Sequence, residues 1–149
     1  MKNMLLNYDF GIPFNGQPMY YITEGGITYD EGTRFPSRTL SLSISDGAAS
    51  VSYEPFIDIA GAGTITVGFF IRAIEADLAA AEITFYDAKF CPLARKEINF
   101  AHYIGFSFTK VSNNFIPWQN SAYCTVKIKF AGKITALTLY KPYFIKSRA

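Results

Sequence analysis

Hydrophobic and polar residues alternate with a period of two over three stretches of this 149-residue chain. Leu40, Leu42 and Ile44 alternate with Thr39, Ser41, Ser43 and Ser45. Ile65, Val67, Phe69 and Ile71 alternate with Thr64, Thr66, Gly68, Phe70 and Arg72. Cys124, Val126, Ile128 and Phe130 alternate with Thr125, Lys127 and Lys129. Each is the pattern of a strand with one face in a core and the other in water. Weaker strands read at 51–53, 83–87, 97–100, 106–111 and 134–140. Turn signals separate them at Ser45-Asp46-Gly47, Gly61-Ala62-Gly63, Cys91-Pro92, Ile116-Pro117 and Ala131-Gly132-Lys133. Only 74–81 (IEADLAAA) has helical composition, enough for a connector of a turn or two. About ten short strands with almost no helix predict an all-β, two-sheet antiparallel β-sandwich or jelly roll. No fixed-period repeat or low-complexity linker interrupts it, so residues 1–149 read as a single domain.

Composition strengthens this picture. Fourteen Phe and ten Tyr against three Met favour pleated surfaces over helical bundles. The net charge of +2 carries little, but its distribution is uneven: all twelve acids lie at or before Glu97, and the seven bases after it face no acid. Lys127 and Lys129 share an outward strand face and read first as a solvated surface that discourages edge pairing. Pairing of the basic C-terminal half with the acidic N-terminal half, within or between copies, is a second reading. An acidic partner is a third, with nucleic acid disfavoured because no recognisable module is present. No stretch approaches the roughly 18 apolar residues of a membrane span. Asn3, Asn7 and Asp9 interrupt the opening apolar run, so it lacks the pattern of a secretion leader; the compartment stays open. Cys91 and Cys124 form neither a disulfide framework nor a metal motif, and read as free thiols with Cys124 in the core.

The order of the segments carries a resemblance. NMLLNYDF (3–10) followed by Gly11, the Leu-x-Leu strand at 40–44, TITVGFFIRA, ITFYDA, FTKVSNNFIP and AYCTVKIKF resemble jelly-roll carbohydrate-binding modules. These are the modules appended to xylanases and glucanases, within the galactose-binding-domain-like sandwiches. The resemblance spans nearly the whole chain and implies a non-catalytic, carbohydrate-binding role. It also implies that 4–10 is the first strand, lying beside the last, with Asn7 and Asp9 satisfying turn backbone. Family members often hold a structural calcium through an acid after the first-strand Phe and an Asp in the final strand. Here those places hold Gly11 and the stretch Leu139-Tyr140-Lys141, so calcium is disfavoured and no cofactor is expected.

The residues themselves show no catalytic constellation. His102 stands alone among aromatics, Gly61-Ala62-Gly63 does not precede a helix, and Asp30-Glu31 is a turn-like acidic pair. Binding is better supported, because several rings occupy outward strand positions. Phe70 beside Arg72, Tyr86, Tyr123 and Tyr140 alternate with core residues, and the single Trp118 is followed by Gln119 and Asn120 in a loop. Rings can stack on the apolar face of a sugar while amides and charged groups bond its hydroxyls. The candidate ligand-binding residues are therefore Trp118, Gln119, Tyr86, Phe70, Arg72 and Tyr140. The alternative is a structural subunit of a phage particle, spore layer or surface appendage that uses the same rings for protein contacts, a homo-oligomer among the expected forms.

Overall fold

The computed structural model describes residues 2–33 and 37–148. Eleven strands and one 3-10 turn follow in order: β1 (Pro13–Phe14), β2 (Gln17–Pro18), β3 (Tyr21–Glu24), β4 (Thr28–Asp30), β5 (Thr39–Ile44), β6 (Ala48–Asp58), β7 (Ala62–Arg72), β8 (Glu75–Tyr86), β9 (Pro92–Asn99), the turn Ala101–Tyr103, β10 (Thr109–Phe115) and β11 (Tyr123–Arg148). All pairings are antiparallel. The arrangement is the expected β-sandwich, and among the described residues no helix is long and apolar enough to cross a membrane.

β11 organises both sheets. A straight strand of 26 residues would reach about 85 Å at ~3.3 Å per residue. A compact chain of this length has a radius of gyration of about 15 Å, so β11 must bend. Its first half pairs with β6 and β8, and its second half with β5 and β7. The first sheet therefore runs β3-β6-β11-β8-β9 and the second β4-β5-β11-β7-β10. The expected turn at Ala131-Gly132-Lys133 is the corner at which the strand changes sheets. Gly132 takes φ +83° there, and an added Cβ would meet Asp77 at 2.7 Å. Asp77 Oδ2 accepts the Lys133 N–H and Gly47 O accepts the Gly132 N–H, which satisfies the corner's backbone. Further irregularities near Ala136 (φ 52°) and Lys141 (φ 47°) coil the second half.

The inward residues of both sheets form one cluster. Phe100 bridges it, edge-on to Phe69 of the second sheet at 4.9 Å and to Phe130 of the first at 6.5 Å. Cys124 is fully buried and Cys91 exposed, both as free thiols; burial pushes the Cys124 thiol up to about 12.

Three expectations need correction. The segment 74–81 is not a helical connector, since Glu75–Tyr86 is a strand. Ala79 and Ala81 pair opposite Phe130 and Ile128 and are buried at 0 and 2% exposure. Placement between two partner strands outweighs alanine's helical preference of a few tenths of a kcal/mol per residue. Residues 4–10 lie beside the last strand but are not a strand themselves: 6–9 form a turn, with positive φ at Asn7 and Phe10. Only Met4 N–H reaches Phe144 O, and the Asn3 side chain completes the clasp by accepting from Phe144 N–H and donating to Pro142 O. Asn7 bonds Ile12 in both directions and Asp9 accepts the Gly11 N–H, so both side chains serve turn backbone. The third correction is an omission: Asn15-Gly16, both at positive φ, close the two-residue hairpin β1–β2.

Tyr143 lies across Gly68, where an added Cβ would meet its ring and the Val111 carbonyl at 2.2–2.3 Å. Gly68→Ala is expected to destabilise the fold by about 2–3 kcal/mol in chemical denaturation, because the ring and the β7–β10 pairing must both shift. Asn3→Ala removes the acceptor of a part-buried N–H and should cost about 1–3 kcal/mol in the same assay. A chromogenic thiol reagent should label one cysteine in the native protein, Cys91, and both after denaturation. Rapid native labelling of Cys124 would show that the core opens readily.

Candidate functional site

Each sheet presents one face to solvent, and register assigns its side chains. On the first sheet, Glu24, Ser50, Lys129, Ala80 and Asn99 form one cross-strand row. Ile22, Ser52, Lys127, Glu82 and Glu97 form the next, and Thr125, Thr84 and Arg95 continue on the other side. Asp58, Tyr123 and Tyr86 close the series. Ser50 and Ala80 point outward yet are 7 and 1% exposed. Outward positions on a flat face would stay wet, so this part of the sheet is recessed. A groove of about 490 Å³ lies here, lined by Ser50, Lys127, Lys129, Leu78, Glu97 and Glu24 among others; its size is that of a small-ligand cleft.

Lys129 is the charge in the recess that is paired with carboxylates. Lys129 Nζ lies 2.7 Å from Glu97 and 3.0 Å from Glu82, and Arg95 lies 3.7 Å from Glu82. Hydrogen bonds to Glu97 and then Glu82 raise the Lys129 ammonium above the ordinary lysine value. The pairing is therefore complete at neutral pH and is lost, on the lysine side, only as pH rises through that raised value.

The other end of this face is aromatic. Phe90 stacks on Tyr123 at 4.5 Å and 19°. Phe56 packs edge-on against Phe90 at 4.9 Å, Tyr86 at 5.0 Å and Tyr123 at 6.4 Å. Phe56 and Phe90 are 46 and 49% exposed. Phe90 is held at φ 63° in the β8–β9 turn, a conformation that costs a bulky residue on the order of 1 kcal/mol. Asp87 holds the turn, its Oδ1 accepting the Lys89 and Cys91 N–H groups. The loop into Tyr123 is stitched to the same region, with Ala122 N–H donating to Tyr86 O. Trp118, half-exposed, and Gln119 sit in that loop, and the indole stacks on no ring among the described residues.

The six sequence-derived candidates thus divide between two faces. Tyr86 joins the first-sheet cluster, with Trp118 and Gln119 in the loop beside it. Phe70, Arg72 and Tyr140 lie on the outward face of the second sheet. Tyr140 is corrected here: it points outward but is only 7% exposed. Its ring is stacked on Phe70 at 5.1 Å and met edge-on by Phe108 at 4.8 Å, which leaves little of it for a ligand. Phe56 and Phe90 belong to the first-sheet ring cluster without being among the sequence-derived candidates. Phe56 lies in β6 next to an irregular pairing register, and the apolar Phe90 in a turn carries no periodic signal. His102 is exposed, with its ring against Tyr103 at 4.1 Å. Among the described residues no group of three or more His, Cys, Asp or Glu could hold a metal.

No protein-family model matches the chain, and no curated protein matches it in sequence. Solved structures do match it in fold. The enzymatically active domain of tailspike protein 4 of bacteriophage CBA120 superposes with a TM-score of 0.72 at 14% identity. The match covers 97% of this chain and 21% of the tailspike chain. TmCBM61, solved in complex with β-1,4-galactotriose, gives 0.63 at 11% identity over 99% of this chain and all of that one. A family 4 carbohydrate-binding module gives 0.62 at 10% identity, covering 96% of this chain and 99% of the module. The chain has the antiparallel β-sandwich fold that these carbohydrate-binding modules have.

Proposed function

We propose that this chain is a non-catalytic carbohydrate-binding module whose ligand lies along the outward face of the first sheet. The observation that carries the reading is the joining, on one face, of an exposed ring cluster (Phe56, Tyr86, Phe90, Tyr123) to a recessed row of hydroxyl and charged groups. Sugars need both surfaces, because their C–H faces favour rings and their hydroxyls need donors and acceptors. Phe90 and Tyr86 are the stacking rings in this reading, Thr84, Thr125 and Lys127 the polar contacts, and Trp118 and Gln119 the flanking loop. The fold shared with TmCBM61, a galactotriose binder, and with the xylan-binding CBM22-1 domain from Paenibacillus barcinonensis supports the ligand class.

The reading includes no calcium ion. The place that the family resemblance assigns to one is a pocket with a single carboxylate among the described residues, Asp9, beside Arg38 and Lys141. Arg38 donates to Gly11 O, so a guanidinium occupies the neighbourhood where six or more oxygens would be needed.

A second reading, a subunit of a larger assembly, draws on a different observation. Ile116 and Trp118, 71 and 50% exposed in the loop that leads into β11, add to the exposed apolar side chains Phe56 and Phe90. The fold is also found within a phage tailspike chain.

A glycan array containing β-1,4-galactan and xylan oligomers, followed by titration calorimetry, tests the first reading. A saccharide should bind, shift the emission of Trp118, and lose about tenfold or more in affinity in Phe90→Ala or Tyr86→Ala. Silence across the array, with sedimentation showing an oligomer that Phe90→Ala dissociates, would replace it with the second.

A further inference from the structure

The outward face of the second sheet holds a separate groove of about 710 Å³ that the reading above does not use. Register lays Thr28, Ser41, Thr138 and Arg72 in one cross-strand row over β4, β5, β11 and β7, and all four line the groove. Phe106, 77% exposed, stands at its rim. Ser41 donates to Asp30, and Ser43 Oγ accepts the Ala136 N–H, so both hydroxyls have defined directions.

Arg72 is the only charged residue among the described residues that line the groove. Its guanidinium lies 4.4 Å over the Phe108 ring, part of the stack formed by Phe70, Tyr140 and Phe108. A cation–π contact engages the face of a guanidinium, whereas its N–H donors lie in its plane. The ion pairs among the described residues involve Lys129, Arg95 and Lys133, none of them with Arg72. Asp30, on β4 beside the groove, accepts hydrogen bonds from Thr39 and Ser41. Lys110, opposite Phe70 on the edge strand, adds a second cation to this face.

We infer that this groove is a second binding site, specific for a carboxylate-bearing saccharide. Arg72 receives the carboxylate through its planar fork, the Thr28–Thr138 row receives hydroxyls, and Phe106 covers an apolar sugar face. The charge reads the ligand, since a lone cation in a groove without acids discriminates against neutral sugars.

The test uses the full chain with trigalacturonate, neutral β-1,4-galactotriose and a sulfated trisaccharide as calorimetric probes. Trigalacturonate should bind more tightly than the neutral trimer and weaken with added salt. Arg72→Gln should lower its affinity about tenfold or more, while Arg72→Lys should recover part of it. Circular dichroism of Arg72→Gln checks folding, which an exposed side chain should leave intact. Phe90→Ala, on the opposite sheet, should leave trigalacturonate binding unchanged even if it abolishes neutral-sugar binding, so the two sites fail separately. The inference is overturned by no trigalacturonate binding, by binding indifferent to Arg72→Gln, or by loss in Phe90→Ala. Preference for the sulfated probe would overturn the carboxylate assignment.

Discussion

Both sheets depend on the backbone hydrogen bonds of one strand. β11 is the central strand of each, with β6 and β8 on its first half and β5 and β7 on its second. The corner at Gly132 therefore sets how the two sheets face each other across the core. That corner needs a left-handed residue without a Cβ and an acceptor for the freed N–H groups, which Gly132, Asp77 and Gly47 supply. The N-terminal clasp acts on the same strand, because Asn3 bonds on either side of Tyr143.

With the core filled by alternating residues, the surplus of rings has to lie outside it. The two outer faces dispose of them differently. On the second sheet Phe70, Tyr140 and Phe108 cover one another and the hydroxyl end of Tyr143 lies over Gly68, so much of that ring area is used within the molecule. On the first sheet Phe56 and Phe90 gather over Tyr86 and Tyr123 but remain about half-exposed. Rings that support one another while keeping open faces have little rotamer freedom left to lose on contact, which is what the proposed site requires. The strained φ of Phe90, held by Asp87, belongs to the same arrangement.

Charge follows the same division. On the first sheet, the recessed Lys129 is matched by Glu82 and Glu97, from the acidic part of the chain. That corresponds to pairing of the two halves within one molecule for this lysine, whereas Lys127 has no ion pair among the described residues. On the second sheet Arg72 is braced by a ring instead of a carboxylate.

Strand faces were legible from sequence because the period of the pleat is local: the outward positions of Phe70, Arg72, Tyr86 and Tyr140 follow from their neighbours alone. The strand character of 74–81 was not, since alanine takes its state from the strands beside it, and neither was the turn at 6–9 in place of the expected first strand, although the bonding of Asn7 to turn backbone was expected. The division of the candidates between two faces was equally hidden. Alternation by itself determined that this chain forms a two-layer β structure with rings on its outside. Which rings share a surface, which are covered, and which charge stays unpaired were decided only by the non-local register of β11, because strands distant in sequence become neighbours solely through the pairings it makes.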